Sequence, residues 1–88
     1  MPGPRFVVYS RENCPLCDDF IAELIRALGP LAEHIDIRDV DADPVARRRF
    51  GLKVPVLTVD GSLVCHGRLD AAAVARLLVR CPALPPCT

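Results

Sequence analysis

The sequence carries no excess charge of either sign. Eleven basic residues face eleven acidic ones, so the formal net charge is zero, and the overall field gives no reason to expect nucleic acid or an anionic membrane as a partner. Long hydrophobic runs are also missing: no apolar stretch approaches the roughly 20 residues that a membrane-spanning helix needs. No secretory signal is visible, because Met1-Pro2-Gly3-Pro4-Arg5 leads straight into the first apolar segment. There is neither an internal repeat nor an inter-domain linker. The 88 residues have room for one small core. The expectation is a single domain over residues 1–88, with its core in 5–80 and a Pro-rich tail in 81–88, monomeric and cytoplasmic. Ten arginines against one lysine, with abundant Ala and Pro, point to a GC-rich genome.

Cysteine, by contrast, is plentiful. Five cysteines are many for this length, yet the count is odd and the spacing is not that of a secreted disulfide scaffold. In a reducing cytosol such thiols are catalytic, metal-binding or free. The pair Cys14-Pro15-Leu16-Cys17 is the most informative. It follows the apolar run Phe6-Val7-Val8-Tyr9 and opens an amphipathic segment from Leu16 to Leu28. Two thiols three residues apart at a strand-to-helix junction can close a small disulfide loop. The first also sits where a helix dipole stabilises a thiolate.

The rest of the chain reads as alternating elements. Arg5 to Tyr9 has the β-branched and aromatic character of a buried strand. Pro15 suits the first position of a helix, where its missing N–H is not needed. Cys17, Phe20, Ile21, Leu24, Ile25 and Leu28 recur on one helical face, and Gly29-Pro30 ends it. His34 to Val40 alternates as a second strand, with Ile35 and Ile37 on one side. Asp43 caps a short helix that starts at Pro44 and ends at Phe50-Gly51. Asp60-Gly61 between two apolar runs signals a hairpin. Asp70 caps a last helix, Ala71 to Arg80, whose Val74, Leu77 and Leu78 face the core. The order βαβαββα, with a right-handed crossover in its first βαβ unit, predicts an α/β fold: a mixed four-stranded sheet with helices on both faces.

Over Arg5 to Arg80 this arrangement resembles the glutaredoxins of the thioredoxin superfamily, nearest to a small bacterial branch of glutaredoxin-like proteins. Three landmarks carry the resemblance: Cys14-Pro15-Leu16-Cys17 after strand one, Val54-Pro55 before strand three, and the Asp60-Gly61 hairpin followed by Gly67 and Asp70. The resemblance implies a thioredoxin-like fold and a thiol–disulfide oxidoreductase acting on protein or glutathione mixed disulfides. Cys14 would be the nucleophile and Cys17 the resolving thiol. It further implies that Val54-Pro55 is cis, that the Val54 backbone receives the substrate chain, and that Asp70 holds a ligand amino group or simply caps its helix. Arg11 stands where the family commonly has Lys, so it would lower the Cys14 pKa and meet a glutathione carboxylate, or remain a solvated loop arginine. Glutathione would be a cosubstrate, with no tightly bound cofactor.

Two features depart from the family pattern. Leu16 replaces a common Tyr, and Cys65-His66-Gly67 replaces a glycine pair, which weakens the case for a standard glutathione site. Asp18 and Asp19 act as first-turn acids; Asp18 would oppose a Cys14 thiolate or, if partly buried, accept a proton from Cys17. Cys65 is read as a buried small hydrophobe, the alternative being a second exchange thiol near Pro55, and His66 as a surface residue. Arg47-Arg48-Arg49 forms a solvated face. Cys81 and Cys87 are expected to be free thiols. No metal site is assigned, because a zinc site using Cys14 and Cys17 would have only Cys65-His66 to complete it. Alternative roles are a metal or iron–sulfur carrier, or a redox-inactive protein-interaction domain.

Overall fold

The computed structural model describes residues 5–80, which form a four-stranded sheet flanked by helices. The readings made of the tail and of Cys81 and Cys87 lie outside the described residues. In chain order the strands are β1 (Phe6–Ser10), β2 (Ile35–Asp39), β3 (Val56–Val59) and β4 (Ser62–His66). The α-helices are α1 (Pro15–Leu28), α2 (Pro44–Phe50) and α3 (Ala71–Arg80). The sheet order is β2-β1-β3-β4. β1 runs parallel to β2 and antiparallel to β3, and β3 is antiparallel to β4. The fold is thioredoxin-like, with the expected βαβαββα order.

The sheet separates two apolar clusters. On one face Phe6 and Val8 of β1 and Leu57 and Val59 of β3 pack with Phe20, Leu24 and Leu28 of α1 and Val74 of α3. On the other, Val56 packs with Val40, Ala46 and Phe50, flanked by Tyr9 and Val54. Alternation along β1 and β3 accounts for this division, because successive side chains point to opposite faces. The larger cluster therefore fixes α1 against the two central strands, and with it the helix terminus that carries the cysteines.

Local chemistry sets the turns. Asp60 and Gly61 both have positive φ, 51° and 87°, the pairing that a tight hairpin twisted like its strands requires. The Asp60 carboxylate accepts a hydrogen bond from the Arg5 backbone N–H at 3.0 Å, which ties the hairpin to the start of β1. Asp43 caps α2 by accepting from the Val45 N–H at 2.9 Å, and Pro44 follows at the first helical turn.

Two details differ from the sequence reading. α1 ends at Leu28 with Gly29 as its C-cap, as expected, but a 3₁₀ helix over Gly29–His34 follows that the sequence reading did not include. Ile25, grouped on one helical face with Leu24, and Ile37, placed on one side of its strand with Ile35, are 46% and 51% exposed. β2 is an edge strand, mostly exposed along its length, and Val40 just beyond it supplies the buried contact instead.

Candidate functional site

The loop between β1 and α1 brings the two cysteines together. Asn13 has φ 56°, a left-handed conformation that Asn tolerates better than most residues, and it turns the chain into the helix. Cys14 is the N-cap of α1, and Pro15 begins the helix. Cys14 and Cys17 are joined as a disulfide with their Cα atoms 5.1 Å apart. Cys14 is partly exposed while Cys17 is buried at 1% exposure. The Cys17 N–H donates to the Cys14 sulfur at 3.1 Å. A helix terminus and a directed N–H both favour negative charge on that sulfur once the disulfide opens.

Other candidate residues stand before β3, after β4 and at the head of α3. The Val54–Pro55 peptide bond is cis; Pro55 is buried and Val54 half-buried. The Pro55 carbonyl accepts from the Gly67 N–H at 2.8 Å, so the turn after β4 is anchored to the proline segment. Gly67 has φ 75°, in the left-handed region. Leu16, Phe20 and Asp19 of α1 face Gly67, Arg68 and Leu69 across a groove of about 330 Å³. Asp70 caps α3, accepting from the Ala73 N–H at 3.0 Å.

Arg11 is held from two sides. Its Nε and Nη2 donate to the two Asp41 carboxylate oxygens at 2.8 and 3.0 Å, and Nη1 donates to the Gly51 carbonyl at 3.0 Å. This forked geometry is the strong form of an arginine–carboxylate contact. The hydrogen bond to Asp41 raises the Arg11 pKa above its ordinary value. The same bond from Arg11, with the positive charges of Arg11 and Arg47, lowers that of Asp41 despite some desolvation. Gly51 must be small here, since a Cβ would lie 2.5 Å from the Arg47 carbonyl oxygen.

The sequence assigns no site role to Asp41, Gly51 or Asn13; Gly51 signals only a helix end and Asn13 only a tolerance of positive φ. A group whose pKa is lowered on folding contributes stability that is present above its unfolded pKa and lost as pH falls through its folded value. Asp41→Asn is therefore expected to flatten the acid limb of the stability–pH curve below about pH 4 and to lower stability at neutral pH, as read by urea unfolding across pH.

The remaining residues take plainer positions. Asp18 is exposed, so the burial that would let it serve Cys17 is absent and it remains a first-turn acid. Cys65 is half-buried, lies opposite Leu57 in the sheet and packs against the larger cluster. Burial pushes its thiol pKa up, with a backbone hydrogen bond from Asp70 opposing the shift. His66 is exposed. Arg47, Arg48 and Arg49 are exposed on α2, with Arg49 stacked 4.7 Å from the Phe50 ring centroid.

A family model described as "Glutaredoxin-like domain (DUF836)" matches residues 5–79. The chain belongs to the glutaredoxin-like family. Among solved structures, the solution NMR structure of a protein from Nitrosomonas europaea is 27% identical, covers 86% of this chain and 92% of its own, and superposes with a TM-score of 0.75. The X-ray structure of a protein from X. campestris is 26% identical, with coverages of 88% and 99% and a TM-score of 0.64. A malarial protein at 12% identity and TM-score 0.58, covering 90% of this chain and 97% of its own, shares the fold alone. No curated protein matches the sequence. Among the described residues, no helix of this glutaredoxin-like chain is long and apolar enough to cross a membrane.

Proposed function

We propose that this glutaredoxin-like protein is a thiol–disulfide oxidoreductase that reduces protein disulfides or glutathione mixed disulfides, as a cytoplasmic monomer. The observation that carries the reading is the Cys14–Cys17 disulfide at the head of α1, with one sulfur partly exposed and the other residue buried. In the reduced protein the Cys14 thiolate attacks one sulfur of the substrate disulfide. A new S–S bond forms, the substrate bond breaks, and the departing thiolate takes up a proton. The Cys17 thiol then loses its proton and attacks the Cys14 sulfur, releasing the second substrate thiol and leaving the Cys14–Cys17 disulfide. Two electrons have passed to the substrate. A small thiol or a dithiol protein returns them by the reverse exchange.

The Cys17 N–H and the helix terminus lower the energy of the Cys14 thiolate in both directions. The cis Val54–Pro55 bond, tied through the Pro55 carbonyl to the Gly67 N–H of the turn after β4, supports the reading. The test is a redox titration of the purified protein against glutathione with trapping of mixed disulfides. A reversible couple at roughly −200 to −280 mV, with adducts mapping to Cys14, is the expected result. Absence of any reversible Cys14–Cys17 couple would overturn the proposal.

A further inference from the structure

The groove beside the disulfide has a charge pattern that bears on its substrate. Leu16, the residue next to Cys17 and 49% exposed, lies at the groove, and Phe20 and Leu69 add apolar lining. Its opposite wall is anchored to the proline segment through the Gly67–Pro55 hydrogen bond. A chain bound at the cysteines and continuing along this wall thus enters the groove. Asp19 and Glu23, four residues apart and so on one face of α1, line it, against the single cation Arg68. None of the ion pairs among the described residues engages any of the three. The groove is therefore net negative.

Arg11, the cation expected to receive a ligand carboxylate, is already neutralised by Asp41 and bound to the Gly51 carbonyl. Residues 12–25 include four acidic residues and no basic one, so no positive charge on that segment compensates. Glutathione presents two carboxylates and one ammonium group, which suits this field poorly. An extended polypeptide with an apolar residue for Leu16 and Phe20 and a cationic side chain for Asp19 and Glu23 suits it well.

We infer that the groove between α1 and the Gly67–Leu69 turn selects polypeptide disulfides that carry a lysine or arginine close to the reacting cysteine. The inference rests on the exchange chemistry proposed above and names the substrate class for it. Desolvation at an exposed groove is slight, so each charge contact is modest and is screened by salt. The preference works through association, by drawing the basic segment in beside Cys14.

The test uses the reduced 88-residue chain and four probes. Two are homodimeric disulfide peptides of the same sequence with either Lys or Glu two positions from the cysteine. The third is the uncharged hydroxyethyl disulfide, and the fourth is glutathione disulfide. Each rate constant is divided by that of the same probe with dithiothreitol, which removes the probe's own reactivity. The Lys peptide is expected to react about tenfold faster than the Glu peptide at low salt, and the ratio to fall at high salt. In the Asp19→Asn/Glu23→Gln double variant the ratio should drop to about threefold or less, and in Arg68→Gln it should rise.

Because the readout is a ratio within each variant, a general change in reactivity does not imitate it. Normal reduction of hydroxyethyl disulfide with no Lys-over-Glu preference, or with a ratio the groove variants do not change, would overturn this inference and leave the exchange reading standing. Faster reaction with glutathione disulfide than with the Lys peptide would do the same. Failure to reduce hydroxyethyl disulfide at all would remove both.

Discussion

With Cys17 replaced by serine, exchange is expected to stop half-way, leaving the substrate covalently attached to Cys14. The buried Cys17 sulfur is bonded to Cys14, so it is placed to release such an adduct, and a serine hydroxyl in its place cannot. The mixed disulfide should accumulate one-to-one with protein and be visible as an added mass on the tryptic peptide containing Cys14. Cys14→Ser should instead lower the exchange rate on the order of a hundredfold or more, because the thiolate is the nucleophile and a serine hydroxyl is not ionised near neutral pH. No adduct should form at Cys17, whose side chain is closed off from solvent. An adduct mapping to Cys65 in either variant would move the chemistry to the thiol on β4. The raised pKa and half-buried position of Cys65 argue against that.

The roles proposed for the two cysteines rest on where the backbone puts them rather than on their identity. Cys14 precedes the first helical residue and keeps a path to solvent. Cys17 begins the stripe continued by Phe20, Leu24 and Leu28, all buried against the sheet. The difference in exposure between the two thiols, on which the proposed attacking and resolving roles rest, is thus a consequence of helical periodicity meeting a helix terminus. It needs no special residue beyond Pro15, which suits the first turn.

Most of this was legible in the chain because its signals are local. The Cys-Pro-Leu-Cys run, the Asp43 and Asp70 caps, and the Asp60-Gly61 turn each act within a few residues, and each is found at its place. What was not legible depends on residues far apart. Arg11 and Asp41 are 30 positions apart. They meet because β1 and β2 pair in parallel with Ser10 opposite Asp39, a register that no short window contains. That pairing makes the arginine, read either as a ligand contact or as a solvated loop residue, an internal tie between the cysteine loop, the segment after β2 and the end of α2.

The same limit explains Ile25. Pattern alone placed it with Leu24, but neighbouring helix positions are about 100° apart, and where the buried stripe ends is set by what packs on it. This difference gives the largest stability prediction. Leu24 is fully buried among Phe6, Val8, Leu57 and Val74, where the surrounding strands cannot close over a missing side chain. Leu24→Ala should cost roughly 2–5 kcal/mol, a large share of the roughly 5–15 kcal/mol typical of a domain.

Ile25→Ala, one residue on and 46% exposed, should cost under about 1 kcal/mol. Urea unfolding with both cysteines oxidised would show the first as a much lower midpoint at unchanged slope and the second as nearly wild type. Because Leu24 acts by holding α1 to β1 and β3, the folded fraction of Leu24→Ala at low urea should still exchange disulfides at close to the wild-type rate per folded molecule. Equal costs for the two variants would mean that α1 is rotated from the position described, and the buried place of Cys17 on the same stripe would fall with it.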